Sequence, residues 1–342
     1  MALSGGVDST VTAQLLKEEG FPLVGITMHL GGPKPDLNGL GQELGIDIHV
    51  LDLREEFRRS VIADFCREYE SGRTPNPCVT CNRTIKFGQL ADYARGLGAS
   101  FLATGHYARR EYCPCEGRYA LYQASYVDKD QSYMLYGLSQ GQLSFARFPL
   151  GHYSKQQVRQ LAARAGLSVA QAGESQDICF IQGDYRHFLQ KHLPQAFQPG
   201  PIVNRQGQAL GSHEGLVGYT IGQRRGLRIS APRPHYVIAL DVKRNALVVG
   251  TAEETLATAF RAYPANFLSG LLPDDGISCT VKVRYRARQA PCLLHPTADG
   301  GLQATFTQPQ KAVTPGQSAV FYLGDEVLGG GIIQRVCMAP TL

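Results

Sequence analysis

Two cysteines near the start of a helical pattern could carry out thiol chemistry in this chain of 342 residues. Cys78 and Cys81 follow two prolines, which predict a stiff, non-helical segment, and the helical pattern begins near Asn82. A position at a helix N-terminus beside Arg83 and Lys86 predicts a lowered thiol pKa for Cys81. The thiolate is the nucleophilic form, so Cys81 is a candidate nucleophile.

The other seven cysteines divide into one further candidate and a set with structural or surface roles. Cys179 lies between polar and apolar residues, and this pattern alone is more typical of a core cysteine. Three thiolates from Cys78, Cys81 and Cys179 could also bind zinc or an iron–sulfur cluster, an alternative that stays open here. We expect the others in a surface hairpin (Cys113 and Cys115) or in the core (Cys66, Cys279, Cys292 and Cys337).

The segment Ser4-Gly5-Gly6-Val7-Asp8-Ser9 opens a helical pattern and predicts a phosphate-binding loop. Its glycines permit close approach of a ligand to the backbone, and successive N–H groups can surround an anion. Asp8 is a candidate indirect ligand of a magnesium ion on the phosphates. Since no Gly-Lys-Ser/Thr follows, the loop is not of the Walker type.

The arrangement of apolar residues changes near residue 195. Before it, strand and helix patterns alternate, which predicts an α/β fold with a mostly parallel sheet. After it, short alternating runs predict antiparallel β structure, with a weaker boundary near 260. The predicted strands are 21–28, 46–51, 100–104, 235–240, 246–249, 277–285 and 319–323, and the predicted helices are 7–19, 55–70 and 83–97.

Charge is distributed unevenly and favours a polyanionic partner for the second half. Residues 1–190 carry 19 Lys and Arg against 20 Asp and Glu, whereas residues 191–342 carry 15 against 9. Alternating cations at 282–288 predict a basic face on one strand, and residues 223–228 form a second basic cluster. No apolar run is long enough to span a membrane, and no signal peptide is evident, so we expect a cytoplasmic protein.

Several motifs in fixed order carry a resemblance to one family. They are SGGVDS, GRTPNPCVTCNRTIKF, ATGHYAR, KDQSYML, ESQDICFI, GYTIGQRRGL, KVRYR and VTPGQSAVFY with LGGGII. Together they resemble the tRNA-specific 2-thiouridylases, within the N-type ATP pyrophosphatase superfamily. The resemblance implies an ATP pyrophosphatase domain at 1–195, a central tRNA-binding domain at 196–260 and a C-terminal β-barrel at 261–342.

The resemblance also implies an activity, which is ATP-dependent replacement of the C2 oxygen of the tRNA wobble uridine by sulfur. Cys179 matches the persulfide carrier and Cys81 the nucleophile that releases the sulfur and forms a disulfide bond with it. A cysteine desulfurase or relay protein would supply the persulfide, and ATP and Mg²⁺ are implied. Many relatives have Asp in place of Cys78, and a thiol does not reproduce a carboxylate at neutral pH.

The family's binding positions fall on identifiable residues of this chain. Ser4 to Ser9, Met28 and Gly105 match nucleotide-binding positions. Positions that contact the anticodon stem-loop of tRNA match Asn76, Pro77, Cys78, His106, Lys129, Asp130, Gln131, Arg284, Tyr285 and Gln317. The alternatives are a small-molecule synthetase with the same loop, an RNA-binding or cluster-carrying protein without catalysis, and an iron–sulfur-dependent tRNA thiolase.

Overall fold

The computed structural model describes residues 1–171, 173, 178–181, 183–230, 233–268 and 275–340. Its strands are β1 (Gly25–His29), β2 (Ile48–Asp52), β3 (Leu102–Ala103), β4 (Ala108–Cys113), β5 (Arg118–Gln123), β6 (Ala146–Arg147), β7 (Gly200–Val203), β8 (Ala209–His213), β9 (Tyr236–Asp241), β10 (Ala246–Gly250), β11 (Leu256–Phe267), β12 (Ile277–Lys282), β13 (Ala290–Pro296), β14 (Leu302–Lys311), β15 (Ser318–Leu323) and β16 (Glu326–Met338).

The α-helical segments are α1 (Val7–Glu18), α2 (Asn38–Leu44), α3 (Arg54–Phe57), α4 (Ala63–Glu70), α5 (Pro77–Cys81), α6 (Leu90–Gly96), α7 (Gln140–Phe145), α8 (Lys155–Arg164) and α9 (Tyr185–His192). Two π-helical segments, Arg58–Ile62 and Asn82–Gln89, join α3 to α4 and α5 to α6. Short 3₁₀ turns occupy Val127–Lys129, Ser132–Met134, Pro149–His152, Ser168–Gln171, Pro194–Ala196, Leu216–Gly218 and Glu253–Thr255.

The N-terminal sheet is parallel, and the first three residues form its centre. β1 pairs with β2, β3 pairs with β6, and Ala2 lies between the two pairs. Leu3 N–H donates to Ile26 O and Ala2 N–H donates to Ala103 O, each at 2.9 Å. The chain order along the sheet therefore reverses at residues 1–3, and ligands of open α/β sheets bind at such a switch point.

The helix that carries Cys78 and Cys81 begins earlier than the sequence pattern predicts. Pro77 is its first residue, and the helix continues through the π-helical segment to Gly96. The predicted non-helical segment is therefore wrong from Pro77 onward. Proline is well suited to the first position of a helix, because its missing N–H is not needed there.

The second half forms two β units, as the alternating pattern indicates. β7 to β10 make a four-stranded sheet, and β11 to β16 close into a six-stranded barrel through the pairing of β11 with β16. β11 begins at Leu256, so the predicted domain start at residue 261 lies inside a barrel strand. The hairpin β4–β5, from the first half, adds to the barrel sheet beside β16.

Cysteines outside the first candidate pair have mixed environments. Cys66 is buried, and Cys279 and Cys292 face each other inside the barrel with sulfurs 3.7 Å apart. The core prediction for Cys337 is wrong, because this residue is exposed on β16. Cys113 ends β4 and Cys115 lies in the turn that follows, as expected for a surface hairpin.

Candidate functional site

The loop between the central strand and α1 has the geometry of an anion site. Gly5 has a φ of 77°, a left-handed conformation that favours glycine. Ser9 Oγ accepts from Ser4 N–H at 3.2 Å and donates to Gly6 O at 3.0 Å, which fixes the turn. Gly6 caps α1 without a side-chain hydrogen bond, so first-turn N–H groups remain available for a phosphate. These residues fit the pyrophosphate end of ATP.

The carboxylate of Asp8 is held by two residues that the sequence did not single out. Lys155 Nζ lies 2.7 and 2.8 Å from its two oxygens, and Tyr107 donates its hydroxyl at 2.6 Å. Lys155 is the first residue of α8, whose start is fixed by a capping box at Ser154. Part of the Asp8 side chain remains exposed, so these partners do not seal it from solvent.

Gly105 connects this loop with the segment after β3. A Cβ at Gly105 would lie 2.9 Å from Asp8 C and 2.9 Å from Ser9 N, so the two backbones meet where no side chain fits. Met28, the other predicted nucleotide position, is half-buried in β1 and packs against two apolar clusters. The predicted nucleotide residues thus lie along the carboxyl edge of the sheet.

His106, the next residue, is buried and oriented by two polar partners. Burial lowers its pKa well below the usual value, and the charge of Lys86 lowers it further, so the imidazole is neutral. Lys86 Nζ is 3.5 Å from Nε2, and Thr104 Oγ1 is 2.7 Å from Nδ1. Because a protonated lysine can only donate, Nε2 is the acceptor and Nδ1 carries the proton.

Cys81 lies in an apolar environment between two helices. It is 7% exposed and packs in a cluster with Leu53, Phe57, Val61 and Ile85. Burial raises the pKa of Cys81 to about 11, even though the neighbouring cation Lys86 lowers it. The expectation of a lowered pKa is therefore wrong, because desolvation outweighs the charge of Lys86 and Cys81 ends α5 inside a continuous helix instead of beginning one.

Phe180, the aromatic neighbour of Cys179, packs against the helical segment at 54–70, which also packs beside Cys81. The ring of Phe180 packs edge-on against Phe57 at 5.5 Å and Phe65 at 5.4 Å, while Cys179 itself is exposed. A charge on Cys179 raises the pKa of both Cys78 and Cys81, so the three thiols, called the thiol cluster, lie near enough to interact electrostatically. Residues 174–177 of the predicted ESQDICFI motif lie outside the described residues.

Burial also raises the pKa of the two other thiols of this cluster. For Cys78 and for Cys179 desolvation is the largest cause, and the charge of Lys86 acts in the opposite direction. Within the described ranges, no group of three or more His, Cys, Asp or Glu side chains is arranged to hold a metal ion. The alternative of an iron–sulfur cluster on Cys78, Cys81 and Cys179 receives no support from this geometry.

Several predicted tRNA positions lie where the barrel meets the cysteine helix. Gln317 Nε2 donates to Thr74 O at 2.8 Å and Pro75 O at 3.2 Å, which holds the segment before α5. The amide of Asn76 contacts Met134 Sδ at 3.5 Å, and Pro77 is buried. These contacts are internal to the protein, so they position the thiol helix whether or not tRNA is bound.

The cations at 282–288 do not form one solvent-facing row. β12 ends at Lys282, which is buried, and Arg284 donates to Ile221 O at 2.8 Å and Ala312 O at 2.9 Å. The predicted strand face is therefore wrong for these two residues, since both are used to join parts of the protein. Arg286 and Arg288 are exposed, as are Arg224, Arg225 and Arg228 in the second predicted cluster.

Tyr285 lies beside the same region, with its ring 5.9 Å from that of Tyr133. Burial raises its pKa, and Asp130 and Cys78 are among the negative charges that raise it further. Gln131 Oε1 accepts from Tyr107 N–H at 3.0 Å, and Lys129 is half-buried in the preceding 3₁₀ turn. Among these predicted tRNA residues, Tyr285 lies near enough to Cys78 for their charges to interact.

Asp130 is a buried structural anion in this structure. It accepts from Ala124 N–H at 3.0 Å, Ser132 N–H at 3.1 Å and Ser132 Oγ at 2.9 Å, and Lys282 Nζ lies 3.6 Å away. Its side chain is fully buried, whereas that of Lys282 is 10% exposed. The predicted direct contact with tRNA is thus unsuited to the carboxylate, because its acceptors are already used within the protein.

Asp130→Asn should destabilise the protein by about 3–5 kcal/mol, because it leaves the buried Lys282 without a charged partner. Thermal or urea unfolding followed by circular dichroism measures this change. Asp128→Asn is the matched control, since Asp128 is exposed two residues earlier and should shift stability by less than about 0.5 kcal/mol. Equal unfolding midpoints for the two variants would contradict the structural role.

Comparisons with known proteins divide the chain into three matched regions. Residues 1–183 match the model of a tRNA methyl transferase HUP domain, residues 186–251 a tRNA methyl transferase PRC-barrel domain, and residues 257–333 an aminomethyltransferase beta-barrel domain. The tRNA-specific 2-thiouridylase MnmA of Moorella thermoacetica is 45% identical, with 98% of this chain and 99% of that protein aligned. The chain belongs to the tRNA-specific 2-thiouridylase family.

Other members of this thiouridylase family are also similar in sequence to nearly the whole of this chain. The proteins of that name from Magnetococcus marinus and Chloroflexus aggregans are 45% and 46% identical, over 97% and 98% of this chain and 98% of each relative. A solved structure, described as a predicted subunit of tRNA methyltransferase from Methanocaldococcus jannaschii, aligns with a TM-score of 0.31 and 24% identity over 48% of this chain and 74% of that one. That likeness is too weak to support an argument.

Membership in the thiouridylase family agrees with the parallel sheet, central sheet and closed barrel described above. Across the described ranges, each helix is too short or too polar to cross a lipid bilayer. The domain limits at 195 and 260 stay predictions of the sequence pattern, as do the individual roles of the residues in the site.

Proposed function

We propose that this protein is a tRNA-uridine 2-sulfurtransferase that thiolates the wobble uridine and uses Cys81 and Cys179 for sulfur transfer. One observation carries the assignment of the site. Gly105 closely approaches the phosphate loop, Lys86 contacts the adjacent His106, and the charge of Lys86 acts on the thiol cluster. The loop and the thiols can therefore act on one bound base.

The phosphate loop and its supporting residues bind and orient ATP in this proposal. N–H groups at the start of α1 hold the departing pyrophosphate, and Lys155 keeps the carboxylate of Asp8 in place. Magnesium, when bound, would neutralise phosphate charge and polarise the bond that breaks. Transfer of AMP to the C2 oxygen turns this oxygen into a leaving group and releases pyrophosphate.

The cysteines then exchange the oxygen for sulfur. A cysteine desulfurase or relay protein loads Cys179 with a persulfide, for which its exposure is suited. The Cys81 thiolate attacks the Cys179 sulfur, a disulfide forms, and hydrosulfide leaves with the electron pair of the broken S–S bond. Hydrosulfide attacks C2 and AMP departs. An external dithiol reduces the disulfide, consistent with a location in the cytoplasm, where thiols remain reduced.

The basic second half supports tRNA as the substrate over a free metabolite. Exposed Arg224, Arg225, Arg286 and Arg288 can contact phosphates, whereas a small-molecule synthetase has no use for them. The matched family models mention methyl transfer, but the names of the relatives specify 2-thiouridylation, and paired thiols beside an ATP loop suit thiolation. The uridine must leave the anticodon stack to reach this site.

Incubation with an unmodified tRNA transcript, MgATP, cysteine and a cysteine desulfurase tests the proposed function. We expect 2-thiouridine in the digested tRNA by nucleoside mass spectrometry, and AMP formation that depends on tRNA. AMP formation that requires a free metabolite and ignores tRNA would support the synthetase instead. Iron and acid-labile sulfide are measured on anaerobically purified protein, and full activity at zero iron excludes the cluster-dependent reaction.

A further inference from the structure

The π-helical segment after Cys81 changes which residues share its face. In an α-helix with 3.6 residues per turn, positions five apart differ by about 140° around the axis. Asn82–Gln89 instead has i→i+5 hydrogen bonds, such as Leu90 N–H to Ile85 O, which widen each turn to more than four residues. Lys86, five residues after Cys81, is therefore turned back toward the thiol.

Lys86 is held in this direction by the neutral ring of His106. The ring nitrogen Nε2 accepts from Lys86 Nζ at 3.5 Å, and Thr104 fixes the opposite side of the ring. A neutral acceptor orients the ammonium without cancelling its charge, unlike the carboxylate partners of the surface arginines. The charge remains available for an anion on the other side of the amine.

The thiol cluster is the anion that this charge can serve. The charge of Lys86 favours the thiolate form of Cys78, Cys81 and Cys179, and it opposes the desolvation that burial imposes on each of them. Cys81 itself is the fifth residue of this continuous helix, beyond the first turn, where the positive end of the helix has little effect. A cation from another position has to stabilise the anion.

We propose that Lys86 is the cation that stabilises the sulfur anion during transfer between Cys179 and Cys81. The inference rests on the proposed function for its role in turnover. Before attack, Cys81 loses its proton to solvent, and its thiolate is held by the Lys86 ammonium. As the bond to the Cys179 sulfur forms and the persulfide S–S bond breaks, the charge moves to hydrosulfide within reach of the same ammonium.

Thiol alkylation without tRNA or ATP tests this inference separately from the proposed function. The free enzyme is treated with iodoacetamide between pH 7 and 11, and peptide mass spectrometry follows each cysteine. Trypsin releases Cys179 as the only cysteine of its peptide, and fragment ions separate Cys78 from Cys81. Lys86→Met keeps the length of the side chain, and folding is checked by its unfolding midpoint.

We expect Lys86→Met to slow alkylation of Cys81 and Cys179 about ten-fold at pH 8, which corresponds to one unit of pKa. Lys86→Arg should restore most of the rate, and Arg83→Met, which removes an exposed cation from the same helix, should leave it unchanged. An unchanged pH profile in folded Lys86→Met would overturn the inference, even if the enzyme thiolates tRNA. Thiolation by Lys86→Met should fall about 100-fold and recover partly in Lys86→Arg.

Discussion

Cys179→Ser should reduce formation of 2-thiouridine by at least roughly 1,000-fold, because serine cannot carry a persulfide. Cys81→Ser should have the same effect, since the attack that liberates hydrosulfide needs a thiolate. The double variant should lose no more activity than either single variant, because the effects of substituting residues that act in one step are not additive. Nucleoside mass spectrometry after a fixed incubation with tRNA, MgATP and desulfurase measures all three.

The controls separate a chemical loss from loss of structure or binding. Cys337→Ser replaces another exposed cysteine, on the barrel strand β16, and should keep activity. All variants should bind tRNA with affinity close to that of the unchanged protein, because neither thiol supplies the basic surface. Substantial thiolation by Cys81→Ser or Cys179→Ser would contradict the two-cysteine mechanism. Loss of thiolation in Cys337→Ser would instead indicate a general structural effect.

Gly105→Ala should lower tRNA-dependent AMP formation by roughly 100-fold. The added Cβ would lie 2.9 Å from backbone atoms of Asp8 and Ser9, a separation that real Cβ contacts do not adopt. The start of α1 and the phosphate loop must shift, and a misplacement of about 1 Å can cost a factor of 100 in rate. AMP and pyrophosphate release with saturating tRNA, at several ATP concentrations, measures the effect.

Gly96→Ala is the matched control for this substitution. Gly96 ends α6, which precedes β3 in the chain, and a Cβ there meets no atom within 4 Å. Its activity should equal that of the unchanged enzyme, and both variants should keep their unfolding midpoint within a few degrees. Normal AMP formation by Gly105→Ala would mean that this close approach does not position the loop for catalysis.

The phosphate loop was predictable from its residues because its function depends on local backbone geometry. The glycines, the serines and the start of α1 are adjacent in the chain, so SGGVDS defines the turn without distant help. The parallel sheet, the antiparallel second half and the exposed basic cluster at 224–228 were also evident from periodicity and composition. Each of these features depends on neighbouring residues.

The partners of Asp8 and the state of Cys81 could not be predicted in this way. Tyr107 and Lys155 reach Asp8 from 99 and 147 residues further along the chain. The pKa of Cys81 depends on apolar side chains from the helix at 54–70, and its position inside a helix reversed the expectation drawn from local sequence. Desolvation depends on how distant segments pack, so the direction of the net pKa shift of Cys81 cannot be obtained from the flanking residues.

The sequence by itself determined which groups this enzyme possesses: a loop for pyrophosphate, two separated thiols and a basic second half. The tertiary structure decided how they are combined, by packing Phe180, next to Cys179, against the cluster that holds Cys81 and by placing Lys86 in a π-helical segment directly after Cys81. The physical reason is that residue types and local spacing fix chemical capacity, whereas proximity, burial and charge pairing arise only when distant segments pack together.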